Sequence, residues 1–151
     1  MKRFATIIAL FALVCTITTG AYAGPDNPEK DKAKQAEAAK WEAFSENIVH
    51  ALQSDNEGAK LGALQMVIRY GADLNVDEAI FDVMRLYRDN DDDDVRRMAV
   101  VAMGQMKNAW AIGFLRLSKD FEQSPTVRKT IQAVVAQYET AQGGVTARMG
   151  V

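Results

Sequence analysis

Asp94-Val95-Arg96-Arg97-Met98-Ala99-Val100-Val101-Ala102-Met103-Gly104 is the stretch on which the fold turns. Val95, Met98, Ala99, Ala102, Met103 and Met106 recur at three- and four-residue intervals, which places them on one face of an α-helix. Two of them are alanines, small enough to let a second helix come close. Working outward, Asn108 opens a further helix carrying Ala109, Ile112 and Leu115. Ser124-Pro125 reads as an N-cap followed by proline at the first helical position, where its missing N–H costs nothing. Val127, Ile131, Val134 and Tyr138 then mark the last helical face.

Toward the N-terminus, Val76, Ile80, Val83 and Tyr87 mark another apolar face, with Asn75 and Glu78 at the spacing of an N-terminal cap. Leu61, Leu64 and Ile68 mark the helix before it. Ser54 with Glu57 has capping-box spacing at its start, and Gly71 is placed to close it in a left-handed conformation. Trp41, Phe44, Ile48 and Leu52 give the docking half of a first helix whose earlier residues, from Glu29, are polar all round. No run alternates as a strand would. The expectation is an all-α chain of about six helices.

Asp94-Val95-Arg96-Arg97 and Thr126-Val127-Arg128-Lys129 align at an offset of 32 residues, each opening an apolar helix, and Gly58-Ala59-Lys60-Leu61 matches more weakly. Helix pairs at such a period bury their open faces only against their neighbours. The phrase from Asp94 to Gly104 resembles the D-x-V-R-x-x-A-x-x-A-L-G phrase of HEAT-like repeats, departing in phase and in Met103 for leucine. The resemblance covers roughly residues 54–140 and implies a short right-handed α-solenoid of HEAT-like helix pairs, an interaction scaffold rather than a catalyst. Gly71-Ala72-Asp73-Leu74-Asn75 also resembles the phrase that ends ankyrin repeats, but it occurs once and without the T-P-L-H opening.

The chain opens as an exported protein does. Lys2 and Arg3 precede an apolar run from Phe4 to Ile17, and Ala21-Tyr22-Ala23 has the small residues that signal peptidase reads. The sequence therefore divides into a signal peptide (1–23, cut between Ala23 and Gly24), a disordered leader (24–28), a helical-repeat domain (29–140) and a flexible tail (141–151). A periplasmic or secreted location follows, with no stable membrane insertion after cleavage, since the apolar run is shorter than the ~20 residues of a span. Of the 18 basic residues Lys2 and Arg3 leave with the signal, so 16 face 20 acidic ones, a net charge of −4. That balance argues against nucleic acid as a partner. Cys15, the only cysteine, leaves too, so packing alone must hold the domain.

Candidate chemistry is sparse. Asp89, Asp91 and Asp93 alternate like the start of an EF-hand loop, yet Asp94 stands where that loop needs glycine and Val100 where it needs glutamate. A solvated loop whose acids favour the next helix's dipole is the plainer reading, and a calcium- or metal-responsive sensor at Asp89–Asp94 the alternative. His50 is the single histidine and reads as an exposed helix residue, which leaves no Cys/His nucleophile or zinc set. Met98, Met103 and Met106 read as core filler before a Cu(I) site. No enzyme, cofactor or metal is expected. Trp110, Phe114 and Leu117 form a second stripe beside Ala109, Ile112 and Leu115. A wide apolar arc on an internal helix predicts burial; if part of it stays open, it forms an aromatic groove for another protein or peptide. On the second reading Glu78, Asp82, Arg85, Trp110, Phe114 and Arg116 form the partner-binding face, a mixed-charge rim around an aromatic anchor.

Overall fold

A computed structural model describes residues 28–148, with side chains described for residues 29–142. The signal segment and its cleavage between Ala23 and Gly24 lie outside the described residues, as does the leader up to residue 27. The described chain is all-α: α1 (Pro28–Gln53), α2 (Glu57–Tyr70), a 3-10 turn (Asp77–Ala79), α3 (Ile80–Asp89), α4 (Asp93–Met106), α5 (Ala109–Ser118) and α6 (Pro125–Arg148). The last helix continues past Ala141, where the sequence pattern placed the start of a tail, and ends at Arg148.

Helix α4 is the hub. It packs against α2, α3, α5 and α6, while α1 lies on α2 and reaches the 3-10 turn and α3. Its small residues explain this: Ala99 and Ala102 are fully buried, beside Val100 and Met103. Gly104 serves the same end, because a Cβ there would meet Val134 Cγ1 of α6 at 2.6 Å. Leu52, Leu64, Val67, Val83, Ile112, Leu115, Val127 and Ile131 complete one continuous core. Met98 and Met106 pack at its edge, and Met103 lies within it. Along α1, residues 29–40 are exposed, and the helix docks only where Phe44, Ile48 and Leu52 begin to meet the core.

Several local expectations are corrected. The cap of α2 is Asn56, whose Oδ1 accepts from the Ala59 N–H at 3.0 Å. Ser54 instead donates to the Ala51 carbonyl at 2.8 Å, tying off the end of α1. Gly71 is right-handed, with φ −56°; a Cβ placed there would meet the Val67 carbonyl oxygen at 2.6 Å and Gln105 Cβ of α4 at 2.9 Å. The left-handed residue is Lys107, φ 53°, at the end of α4. Asn75 caps nothing, since the chain enters α3 through the 3-10 turn, and its N–H donates to Ser45 Oγ at 3.0 Å. Asn108 does cap α5, accepting from the N–H groups of Trp110 (3.0 Å) and Ala111 (3.2 Å).

Candidate functional site: an open aromatic face on α3 and α5

Large apolar side chains normally go inside, so a cluster left outside is the informative observation. Among the described residues the exposed large hydrophobics are Phe81 (60% exposed), Trp110 (55%), Leu117 (72%) and Phe121 (80%). They share one side of the molecule. The rings of Phe81 on α3 and Trp110 on α5 are 5.1 Å apart at 58°. One turn on, half-buried Phe114 stands edge-on to Tyr87 of α3 at 5.8 Å. Leu117 and Phe121 then border a cleft of about 400 Å³ that also has Tyr87, Phe114, Arg88 and Arg96 in its wall. The expected burial of the Trp110–Phe114–Leu117 stripe is therefore overturned for Trp110 and Leu117. The neighbours of α5 cover its Ala111, Ile112 and Leu115 arc, and among the described residues the other arc meets only the flank of α3, at Trp110 and Phe114.

The face is held on a rigid floor. Glu122, 4% exposed, takes its charge into the protein just after α5 and is fully met there. Its Oε2 accepts from Tyr87 Oη at 2.9 Å and from the Arg96 guanidinium, and its Oε1 accepts from the Ser124 N–H at 2.9 Å. Arg96 also donates to the Tyr87 carbonyl (3.1 Å) and to Asp93 (3.2 Å), and its guanidinium lies 5.6 Å from the Tyr87 ring centre. Burial pushes the Glu122 carboxyl up, but the Ser124 N–H, Arg96 and Tyr87 outweigh it and hold it below the ordinary glutamate value. Burial first, and then the neighbouring Glu122, push the Tyr87 phenol up to about 12. Three elements are thereby pinned together: the end of α3, the start of α4 and the α5–α6 loop.

Of the six residues expected to form a partner face, the structure brings Trp110 and Phe114 together. Glu78 instead borders a hollow of about 580 Å³ beside α1, where Trp41, Glu42, Glu46 and the exposed His50 also lie. Arg85 pairs with Asp82 at 3.4 Å, and both border a smaller hollow with Glu57 and Lys60 of α2. Arg116 pairs with Glu139 of α6 at 2.9 Å. Sequence reasoning missed Phe81 and Phe121. Phe121 was within reach: Trp110, Phe114, Leu117 and Phe121 keep the i, i+4, i+7, i+11 interval. Phe81 carried no such signal, since it falls off the Ile80/Val83/Tyr87 face.

Four of the five carboxylates of the Asp89–Asp94 loop, all but that of Asp91, are engaged by their own chain. Asp92 caps α4, accepting from the Asp94 N–H at 2.7 Å. Asp89 is paired with Arg88 (2.6 Å), Asp94 with Arg97 (3.1 Å), and Asp93 with Arg96 and Ser124. Among the described residues no three His, Cys, Asp or Glu side chains converge as a metal site would require. No described helix is long and apolar enough to cross a membrane. No known protein family, curated protein or solved structure matches the chain.

Proposed function

We propose that this chain is an exported, non-catalytic helical module of HEAT-like pairs, working in the periplasm or outside the cell, that binds another protein or peptide through the aromatic face of α3 and α5. The observation that carries the proposal is the grouping of Phe81, Trp110, Leu117 and Phe121 on one side, each more than half exposed. Contiguous apolar patches of several hundred Å² are where soluble proteins meet partners. Aromatic residues dominate such contacts because they desolvate a large area at little entropic cost. The stacking of α2 against α4 and α4 against α6 is the neighbour-on-neighbour order that a short solenoid needs.

A photoreactive phenylalanine analogue at Trp110, in protein exported by its own cell, tests the face directly. Irradiation is expected to yield discrete cross-linked polypeptides. The same analogue at exposed Gln132 of α6 serves as the control and is expected to yield none. Equal labelling from both positions, or none from Trp110, would contradict the proposal. Intact mass of the same sample checks export: an N-terminus at Gly24 is expected, and retention of residues 1–23 would refute cleavage.

A further inference from the structure

Helix α5 carries a glycine that no packing among the described residues requires. Gly113 sits mid-helix, where glycine is unfavourable relative to alanine, and a Cβ placed on it would meet nothing within 4 Å. It lies on the exposed side of α5, three residues after Trp110 and four before Leu117, beside half-buried Phe114. Gly62 of α2 is equally open and has Gln65 and Met66 beside it, but none of the large exposed apolar residues lies on that helix. At Gly113 the apolar face has a dip along its border, between Leu117 and Arg116.

We infer that this face is a self-association surface: two copies pair about a two-fold axis, with their α5 helices antiparallel and crossing at Gly113. The inference rests on the binding-face reading and names its partner as a second copy of the chain. Three observations favour that occupant. A two-fold interface must supply knob and hole from one surface, and this one does. The exposed Phe81–Trp110 pair lies at one end of the stripe, and the cleft bordered by Leu117 and Phe121 opens at the other. Trp110 and Leu117 are separated by about 10 Å along the helix. An axis midway, between Gly113 and Phe114, sets each Trp110 over the other copy's cleft, and the missing Cβ lets the two backbones come close.

Area is the second observation. Three aromatic side chains of 150–250 Å² and Leu117, at these exposures, offer at most roughly 500 Å² per copy if wholly covered. Doubled, that reaches the roughly 1,000 Å² that separates specific interfaces from incidental ones. Charge is the third. The cations around the face are each matched within the chain, Arg88 by Asp89, Arg116 by Glu139 and Lys119 by Asp120, so two identical faces meet without like-charge repulsion.

Sedimentation equilibrium of the protein purified in the form its own cell makes tests the pairing. A concentration-dependent dimer is expected. Trp110→Glu with Leu117→Glu is expected to raise its dissociation constant about thirtyfold or more, the weight of an interface hot spot. Gly113→Leu is expected to raise it too while leaving the monomer folded, since that side of α5 is open. Gly113→Cys, in a Cys15→Ser background, is expected to give a disulfide-linked dimer, and Lys129→Cys none. Should the double variant lose its circular dichroism, Phe121→Ser, at an 80% exposed site, replaces it. A dimer unaffected by these changes overturns the inference. So does a monomer at every concentration. In that last case cross-links from Trp110 to a different polypeptide leave the face standing with another occupant, and their absence removes both readings.

Discussion

Helices α4 and α5 read alike in the sequence, each with a broad apolar arc, and the fold treats them in opposite ways. In α4 the middle of the arc is covered, with Ala99, Val100, Ala102 and Met103 fully buried and Val95, Met98 and Met106 half-buried at its edges. In α5 only the arc of Ala111, Ile112 and Leu115 is covered, while Trp110 and Leu117 stand in solvent. The difference is one of residue size as well as position. Alanines and Gly104 let α2 and α6 close onto α4, whereas the Trp110 and Phe114 side of α5 meets only Phe81 and Tyr87 of α3 among the described residues. Periodicity reports that a face is apolar; small residues such as Ala99 and Gly104 let a neighbour come close, and the path of the chain decides whether one is there.

The floor between the two helices gives the sharpest test of that contrast. Arg96→Ala leaves Glu122 buried without its cation, and a loss of about 3–5 kcal/mol is expected by chemical denaturation. A loss below about 1 kcal/mol would mean that the floor does not join α4 to the α5–α6 loop. The same network has a pH signature. Glu122 is held below its ordinary value, so its contribution is present above the unfolded glutamate pKa and fades as pH falls through the lower folded one. Tyr87, raised to about 12, acts in the opposite sense: its contribution is intact below pH 10 and lost as pH climbs toward 12. Both dependences should shrink in Tyr87→Phe.

Ala99→Leu probes the crowded side. Overpacking a fully buried alanine is expected to cost about 1–3 kcal/mol, and an unchanged denaturation midpoint would contradict the close approach at α4. Trp110→Ser with Leu117→Ser probes the open side under conditions where the protein is monomeric. There the expected change is within about 0.5 kcal/mol, as for ordinary surface positions. A loss of several kcal/mol would show that the stripe is core after all. The acidic loop should respond least. Asp91→Asn is expected to leave stability within about 0.5 kcal/mol, and millimolar calcium to leave the melting temperature unchanged. A rise of several degrees that Asp91→Asn abolishes would promote the calcium-sensor reading.

The all-α class, the six helices and the buried faces of α2, α3, α4 and α6 were legible because one helical period runs through Leu64, Val83, Ala99 and Ile131. Helix ends were less so. Asn56 rather than Ser54 caps α2, since either side chain can reach an orphan N–H and only the path of the chain decides. Gly71 looked like a left-handed stop, yet what leaves no room for a Cβ there is the Val67 carbonyl one turn back together with Gln105, 34 residues away. The site was half legible: Trp110, Phe114 and Leu117 announced a stripe, but whether a stripe is covered depends on neighbours that no local pattern encodes. The role of Glu122 was invisible, because one glutamate in a polar loop looks like any other until Arg96 and Tyr87 converge on it.

The chain has two tryptophans, Trp41 and Trp110, so Trp41→Phe makes Trp110 the sole reporter of the open face. Emission and acrylamide quenching, followed from high dilution upward, then read the central claim directly. A red-shifted, readily quenched Trp110 is expected at high dilution, moving to the blue and becoming protected as the partner copy docks. A Trp110 already blue-shifted and protected at the lowest concentration would show that the chain covers this face itself, and would contradict the account.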